Sequence, residues 1–213
     1  MTDRNDNAIV EELNAVREPC LVCTKCRLSE TRRSVVWGEG NPLSPLMIVG
    51  EGPGENEDKT GRPFVGRAGQ LLDECLAECK MDRRHVFICN VVKCRACEIG
   101  NGRARNRPPM QDEIDTCTAL WLSRQIRIIK PLVIMSLGAP ASKFIIKKDF
   151  KMTVERGTFY PTPYAPIAIA GLHPAYILRQ MGAVFDGGRS LLVSDIDSAR
   201  RKVIELKKQR NDG

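Results

Sequence analysis

The chain has 213 residues, of which 42% are hydrophobic, with 17 glycines and 13 prolines. This suits one large domain and excludes collagen-like or low-complexity structure. No apolar run reaches the ~18 residues of a membrane span, and Met1–Val16 lacks the apolar stretch of a signal peptide, so a soluble, cytoplasmic chain without membrane contact is expected. Thirty-three basic against twenty-six acidic residues give a net charge of +7, which favours a polyanionic partner but says nothing of fold.

In chain order, residues 1–8 read as a polar tail, and Cys20, Cys23 and Cys26 follow in C-x2-C-x2-C spacing. Cys94 and Cys97 repeat the step, and Cys117 falls on a helical pattern. Thr24, Lys25 and Arg27 make the first cluster too polar for a core, so metal ligation is expected there. Thiolates from distant segments suit a tetrahedral zinc or a four-iron cluster equally, and spacing does not choose between them. Nine cysteines without an export signal argue against a disulfide framework. Cys75, Cys79 and Cys89 lie in apolar patterns and read as small buried hydrophobes.

Unbroken apolar runs at Leu46–Gly50, Val86–Val92, Leu132–Leu137 and Ile167–Gly171 predict strands covered on both faces. Between them, Arg67–Cys79 and Gln111–Ile129 carry helical stripes, and Leu192, Ile196, Ala199, Val203 and Leu206 form another before a polar end at 208–213. The expected architecture is a single α/β domain with a central, mostly parallel four-stranded sheet flanked by helices. Two long loops, Glu51–Arg67 and the arginine-rich Arg95–Met110, begin at strand ends, where α/β sheets bind ligands.

The first loop opens Gly50-Glu51-Gly52-Pro53-Gly54-Glu55-Asn56-Glu57-Asp58. Its carboxylates and Pro53 defeat a phosphate cradle, which needs bare amides and positive potential. They suit the orientation of a water or the steadying of a developing cation. Phe64 sits in a glycine-flanked loop as a loop anchor or a stacking platform. Asn90 is an amide in an apolar strand and must find hydrogen-bond partners. His173 ends the last strand before Pro174, whereas His85 reads as structural.

These residues together resemble the iron–sulfur uracil-DNA glycosylases, family 4 of the uracil-DNA glycosylase superfamily. The motifs are CTKCRLSETR at Cys23–Arg32, GEGPGENEDKTGRPFVGRAGQLLD at Gly50–Asp73, NVVKC at Asn90–Cys94, NRPP followed by Cys117, and HPAYILR at His173–Arg179. The resemblance implies a 4Fe-4S cluster on Cys23, Cys26, Cys94 and Cys117, with Cys20 and Cys97 spare and the cluster mainly structural. It implies catalytic Glu51, Glu57 and His173, with Glu57 slightly favoured over Glu51 for contact with the pocket, and substrate-binding Gly52, Phe64 and Asn90. Arg103, Arg105, Arg107 and Arg179 would hold phosphates. The partner implied is uracil-containing DNA, single- or double-stranded, met by a monomer that releases free uracil and leaves an abasic site, with no lyase step.

Two features depart from the family pattern. Gly52 stands where better-known relatives carry aspartate, and 22 residues separate Cys94 from Cys117, a longer interval than usual. A cross-linking branch supplies a covalent histidine from an insertion near here, but Cys97–Arg107 contains none, so ordinary turnover is expected. Two other classes compete: a zinc- or iron-containing nucleic-acid binding module without catalysis, and a magnesium-dependent nuclease using Glu51, Glu57 and Asp58.

Overall fold

The computed structural model describes residues 6–100, 103–182 and 184–212. Six strands form one sheet in the order β1-β3-β2-β6-β8-β7. Its centre is the four predicted strands: β2 (Leu46–Gly50), β3 (Phe87–Asn90), β6 (Val133–Leu137) and β8 (Ala165–Gly171), all parallel. Side-chain alternation explains why each reads as a continuous apolar run. Met47 and Val49 face one core with Trp121 and Ile126, while Leu46 and Ile48 face a second core with Leu72 and Ile196. Both faces are covered, so no position in β2 is left for a polar residue.

The expectation of four strands is corrected at the edges, where β1 (Glu39–Gly40) and β7 (Phe159–Thr162) pair antiparallel with β3 and β8. Two residues are too few for a periodic signal. Pro161, tolerable only where no ladder hydrogen bond is required of it, hides β7. The helices covering one face are α1 (Asp6–Leu21), α5 (Gln111–Cys117), a π-helical turn (Thr118–Leu122), α6 (Ser123–Ile129) and α7 (Ala139–Ile145); α4 (Arg67–Glu78), α9 (Pro174–Gln180) and α10 (Arg189–Asn211) cover the other.

Three further expectations are corrected. Residues 6–8 open α1, and α10 runs to Asn211, so both polar ends are shorter than expected; residues 1–5 and 213 lie outside the described residues. The acidic loop contains a short helix, α3 (Glu55–Thr60), after α2 (Leu28–Thr31). Glu55, Glu57 and Asp58 occupy its first turn, where carboxylates complement the exposed amides of a helix start. The arginine-rich loop is an antiparallel hairpin, β4 (Cys97–Gly100) paired with β5 (Arg103–Asn106). Asn101-Gly102, outside the described residues, is in sequence the dipeptide most favoured between two such strands.

Candidate active site

A cleft of about 480 Å³ opens beyond the carboxyl ends of β2, β3 and β8, beside the point where the chain leaves β2 to build on either side. Glu51, Gly52, Glu57, Phe64, Asn90, His173 and Arg179 all line it. The sequence places these residues in three separate segments; the sheet brings them together.

Asn90 ends β3 and is only 2% exposed. Among the described residues no protein group hydrogen-bonds its side-chain amide, which is left to the cleft. Gly50 across the ladder is what admits it: a Cβ there would lie 2.4 Å from Asn90 Oδ1 and 2.7 Å from Phe64 Cζ. Phe64 is buried with φ +52°, a left-handed backbone that a bulky residue adopts only under constraint. The constraint is Arg83, which donates to the carbonyls of Pro63 at 2.9 Å and of Phe64, while Gly69 leaves room for the latter. The Phe64 ring stacks at 5.8 Å and 29° on that of His173.

His173 caps α9, with Nδ1 accepting the Ala175 N–H at 3.1 Å. Burial, helped by the Arg179 charge and opposed by Glu57, lowers its pKa to about 4. The ring is therefore neutral at neutral pH, and with Nδ1 accepting, its proton sits on Nε2.

The two acidic candidates differ. Glu57 Oε1 accepts the N–H groups of Val65 at 2.9 Å and Gly66 at 3.0 Å, so it ties α3 to the Phe64 loop. Glu51 has no such partner among the described residues, and burial raises its pKa. Asp58 is buried and accepts from the backbone of Arg33 and Ser34. Of the three carboxylates a magnesium site would need, Glu57 and Asp58 are thus turned to separate backbone donors, and among the described residues no three histidine, cysteine or carboxylate side chains are placed to hold a metal ion. Gly52 presses close to Val92, whose Cγ2 would lie 2.8 Å from an added Cβ.

Beside the cleft, Cys23, Cys26, Cys94 and Cys117 line one enclosed space together with Cys20, Arg32 and Lys93. Burial raises the pKa of Cys94 to about 11 and of Cys117 to about 12. Against it act cations and donors: Arg32 Nη1 lies 3.5 Å from Cys94 Sγ, and the Lys93 N–H 3.2 Å from Cys117 Sγ. Such a setting disfavours free thiolates and suits thiolates bound in a metal group carrying net negative charge. The sulfurs line one space and come from three chain segments, and their donor chemistry suits zinc and an iron–sulfur cluster alike. Cys97 lies apart in β4, while Cys20 forms part of the wall.

The hairpin forms one rim of the cleft through Ala96, Asn106 and Arg107. Arg103 and Arg105 are exposed and form no ion pair among the described residues. Arg107, also expected to hold phosphate, lines the cleft and grips buried Glu113 with two bonds at 2.8 and 2.6 Å. His85 accepts the Asp82 N–H and is structural, as expected. Sequence reasoning missed Gly50, Arg83, Glu113 and Lys93; for Lys93, its position beside Cys94 in the NVVKC motif was the available signal.

Comparison with known proteins decides the family. Residues 37–191 match the model of the Uracil DNA glycosylase superfamily. The chain belongs to this superfamily. It is 42% identical to the Type-4 uracil-DNA glycosylase of Thermotoga maritima over 89% of this chain and 94% of that one. With the Type-4 uracil-DNA glycosylase of Sulfurisphaera tokodaii the figures are 39%, 93% and 88%. A Type-5 uracil-DNA glycosylase of Pyrobaculum aerophilum is more distant, at 26% over 67% of this chain. Among superfamily members, then, this chain stands with the type-4 branch, as its motifs imply.

Proposed function

We infer that this protein is a uracil-DNA glycosylase of DNA repair, acting as a monomeric single domain that hydrolyses the bond between uracil N1 and the deoxyribose C1′. Free uracil leaves, water supplies the new C1′ oxygen, and DNA retains an abasic site. The observation carrying this reading is that an unpartnered amide, Asn90, and a neutral imidazole, His173, face one cleft with Glu51 and Phe64.

Bond breaking places negative charge on the base and positive charge on the sugar. The His173 Nε2–H donates to the developing uracil anion, and neutrality suits this role because the ring need not surrender its proton. Glu51, the carboxylate without a backbone partner, orients water and favours the cationic sugar; Glu57 shapes the loop. The donor and acceptor edges of uracil and cytosine differ, so an Asn90 fixed in one orientation separates them. Extrusion of the base from the helix costs a few kcal/mol, which Phe64 stacking offsets by roughly 1–3 kcal/mol. Arg103, Arg105 and Arg179 hold phosphates. Cys23, Cys26, Cys94 and Cys117 hold a 4Fe-4S cluster, which supplies a covalent cross-link among three chain segments.

The test is base release from a uracil-containing oligonucleotide by anaerobically purified protein, beside Asn90→Ala and His173→Ala, with an absorbance spectrum of each. Free uracil, an iron–sulfur absorption and slow release by both variants are expected. DNA binding without base release would leave only a binding module, and release requiring magnesium with strand scission would point to a nuclease.

A further inference from the structure

Lys93 is 1% exposed, the only buried lysine among the described residues. Its ammonium forms no ion pair with a carboxylate among them. Nζ instead donates to the main-chain carbonyl of Asn90 at 2.8 Å and lies 5.8 Å from the centroid of the Trp37 ring. An ammonium taken from water into a core is strongly unfavourable unless an anion accompanies it. The groups at hand are sulfur. Lys93 precedes Cys94, gives its own N–H to Cys117 Sγ, and lines the space shared by Cys20, Cys23, Cys26, Cys94 and Cys117.

Four cysteine thiolates around an iron–sulfur core carry net negative charge, which would complete this arrangement. The same ammonium is bonded at its other side to the residue that faces the base. An ammonium has three donors and no acceptor, so it can hold a carbonyl and face sulfur at once.

We propose that Lys93 is a positioning residue coupling the cluster to uracil recognition: cluster charge keeps the ammonium in the core, and the ammonium fixes the end of β3 so that Asn90 meets the base. This rests on the glycosylase reading above and extends it. The cluster then does more than join chain segments, because its charge reaches the pocket through one side chain.

The test compares Lys93→Met, Lys93→Gln and Lys93→Arg in protein purified anaerobically with its iron. Three quantities are read: the midpoint potential of the cluster, single-turnover uracil release, and affinity for undamaged DNA. Loss of a neighbouring cation disfavours the more negative, reduced cluster, so Met and Gln should shift the potential downward while Arg keeps it. Uracil release should fall at least tenfold in Met and less in Gln, which retains a donor for the Asn90 carbonyl. Affinity for undamaged DNA should stay at the parental value. A parental potential in both uncharged variants, or parental uracil release in Lys93→Met, would overturn the proposal. If Met does not fold, Gln against Arg still decides it. A parent protein that carries the cluster but releases no uracil refutes the glycosylase reading alone, and the potentials then judge the counter-cation role. A parent that binds no iron refutes the proposal itself.

Discussion

His173 meets the cleft as a neutral imidazole, because burial and the Arg179 charge hold its pKa to about 4 against the pull of Glu57. Glu51 is displaced the other way, raised by burial. The two shifts fix the expected pH profile. If ionised Glu51 is required, single-turnover uracil release should fall as pH drops through its raised pKa, giving an acid limb above the ordinary carboxylate range. His173 should add no limb between pH 5 and 8, where an unperturbed histidine would titrate. His173→Ala should lower the rate by roughly 10²–10³-fold, the usual loss for one donor to a developing anion, and, like His173→Gln, leave the acid limb in place. A limb near the ordinary histidine pKa that vanishes in His173→Gln would assign the titration to the imidazole instead. Gly50 makes a sharper steric test. A methyl group there must displace Asn90 Oδ1 or the Phe64 ring, so Gly50→Ala should lose uracil release while costing about 1–3 kcal/mol of stability, typical of overpacking. Denaturant unfolding beside the activity assay separates the two.

The cleft owes its outer rim to the β4–β5 hairpin, whose base is fixed at both strands. Arg95 Nε donates to Asn106 Oδ1 at 2.7 Å, and the Arg107 N–H to the Ala96 carbonyl at 3.0 Å. Division of labour follows from burial: Arg107 anchors, and Arg103 and Arg105 face solvent. Replacing both exposed arginines by alanine should weaken DNA binding across sequences and reduce the salt slope by up to about 2, near 0.9 for each phosphate that is no longer neutralised. Glu113→Ala should act on stability instead, by about 3–5 kcal/mol, because it leaves a part-buried Arg107 uncompensated. Burial alone would raise the Glu113 carboxyl, but Arg107 and the Met110 N–H hold it below the usual range. Its contribution is therefore complete above the ordinary carboxylate pKa and lost as pH falls through the lower, folded value, so Glu113→Ala should flatten acid unfolding. Little of this element was legible in sequence. The central strands and long helices announced themselves because both faces of the sheet are buried and each helix keeps one stripe. The hairpin is exposed on nearly every residue and so lacks that signal. For the site, motifs located Asn90, Phe64, His173 and Glu51. The roles of Glu57, Arg107 and Lys93 depend on which distant group each one meets, and spacing along a chain does not encode that.

Across the molecule, the cysteine-lined space is where the segment from α1 to α2 joins the rest. Cys23 and Cys26 follow α1, Cys94 follows β3, and Cys117 closes α5 at the π-helical turn. The helix itself contributes Leu13, Val16 and Cys20 to the core shared with Trp121 and Ile126, while the rest of its surface is largely exposed. Such a helix has little besides that stripe to hold it, whereas β2, β6 and β8 are packed on both faces and hydrogen-bonded on both edges. A cluster bound by all four cysteines would close the long loops between these segments and favour the folded state over a chain that cannot assemble the ligands. Removing it by oxidation should therefore not melt the protein uniformly. Amide exchange should accelerate first in α1, α2 and the segment leading from Cys94 into the hairpin, with protection retained through β2, β6 and β8. The thermal midpoint should fall as well. Equal exchange with and without iron across residues 6–31 would mean that the apolar stripe of α1 suffices alone. Accelerated exchange confined to Asn90–Cys94 would instead place the chief influence of the cluster at the end of β3, on the pocket itself.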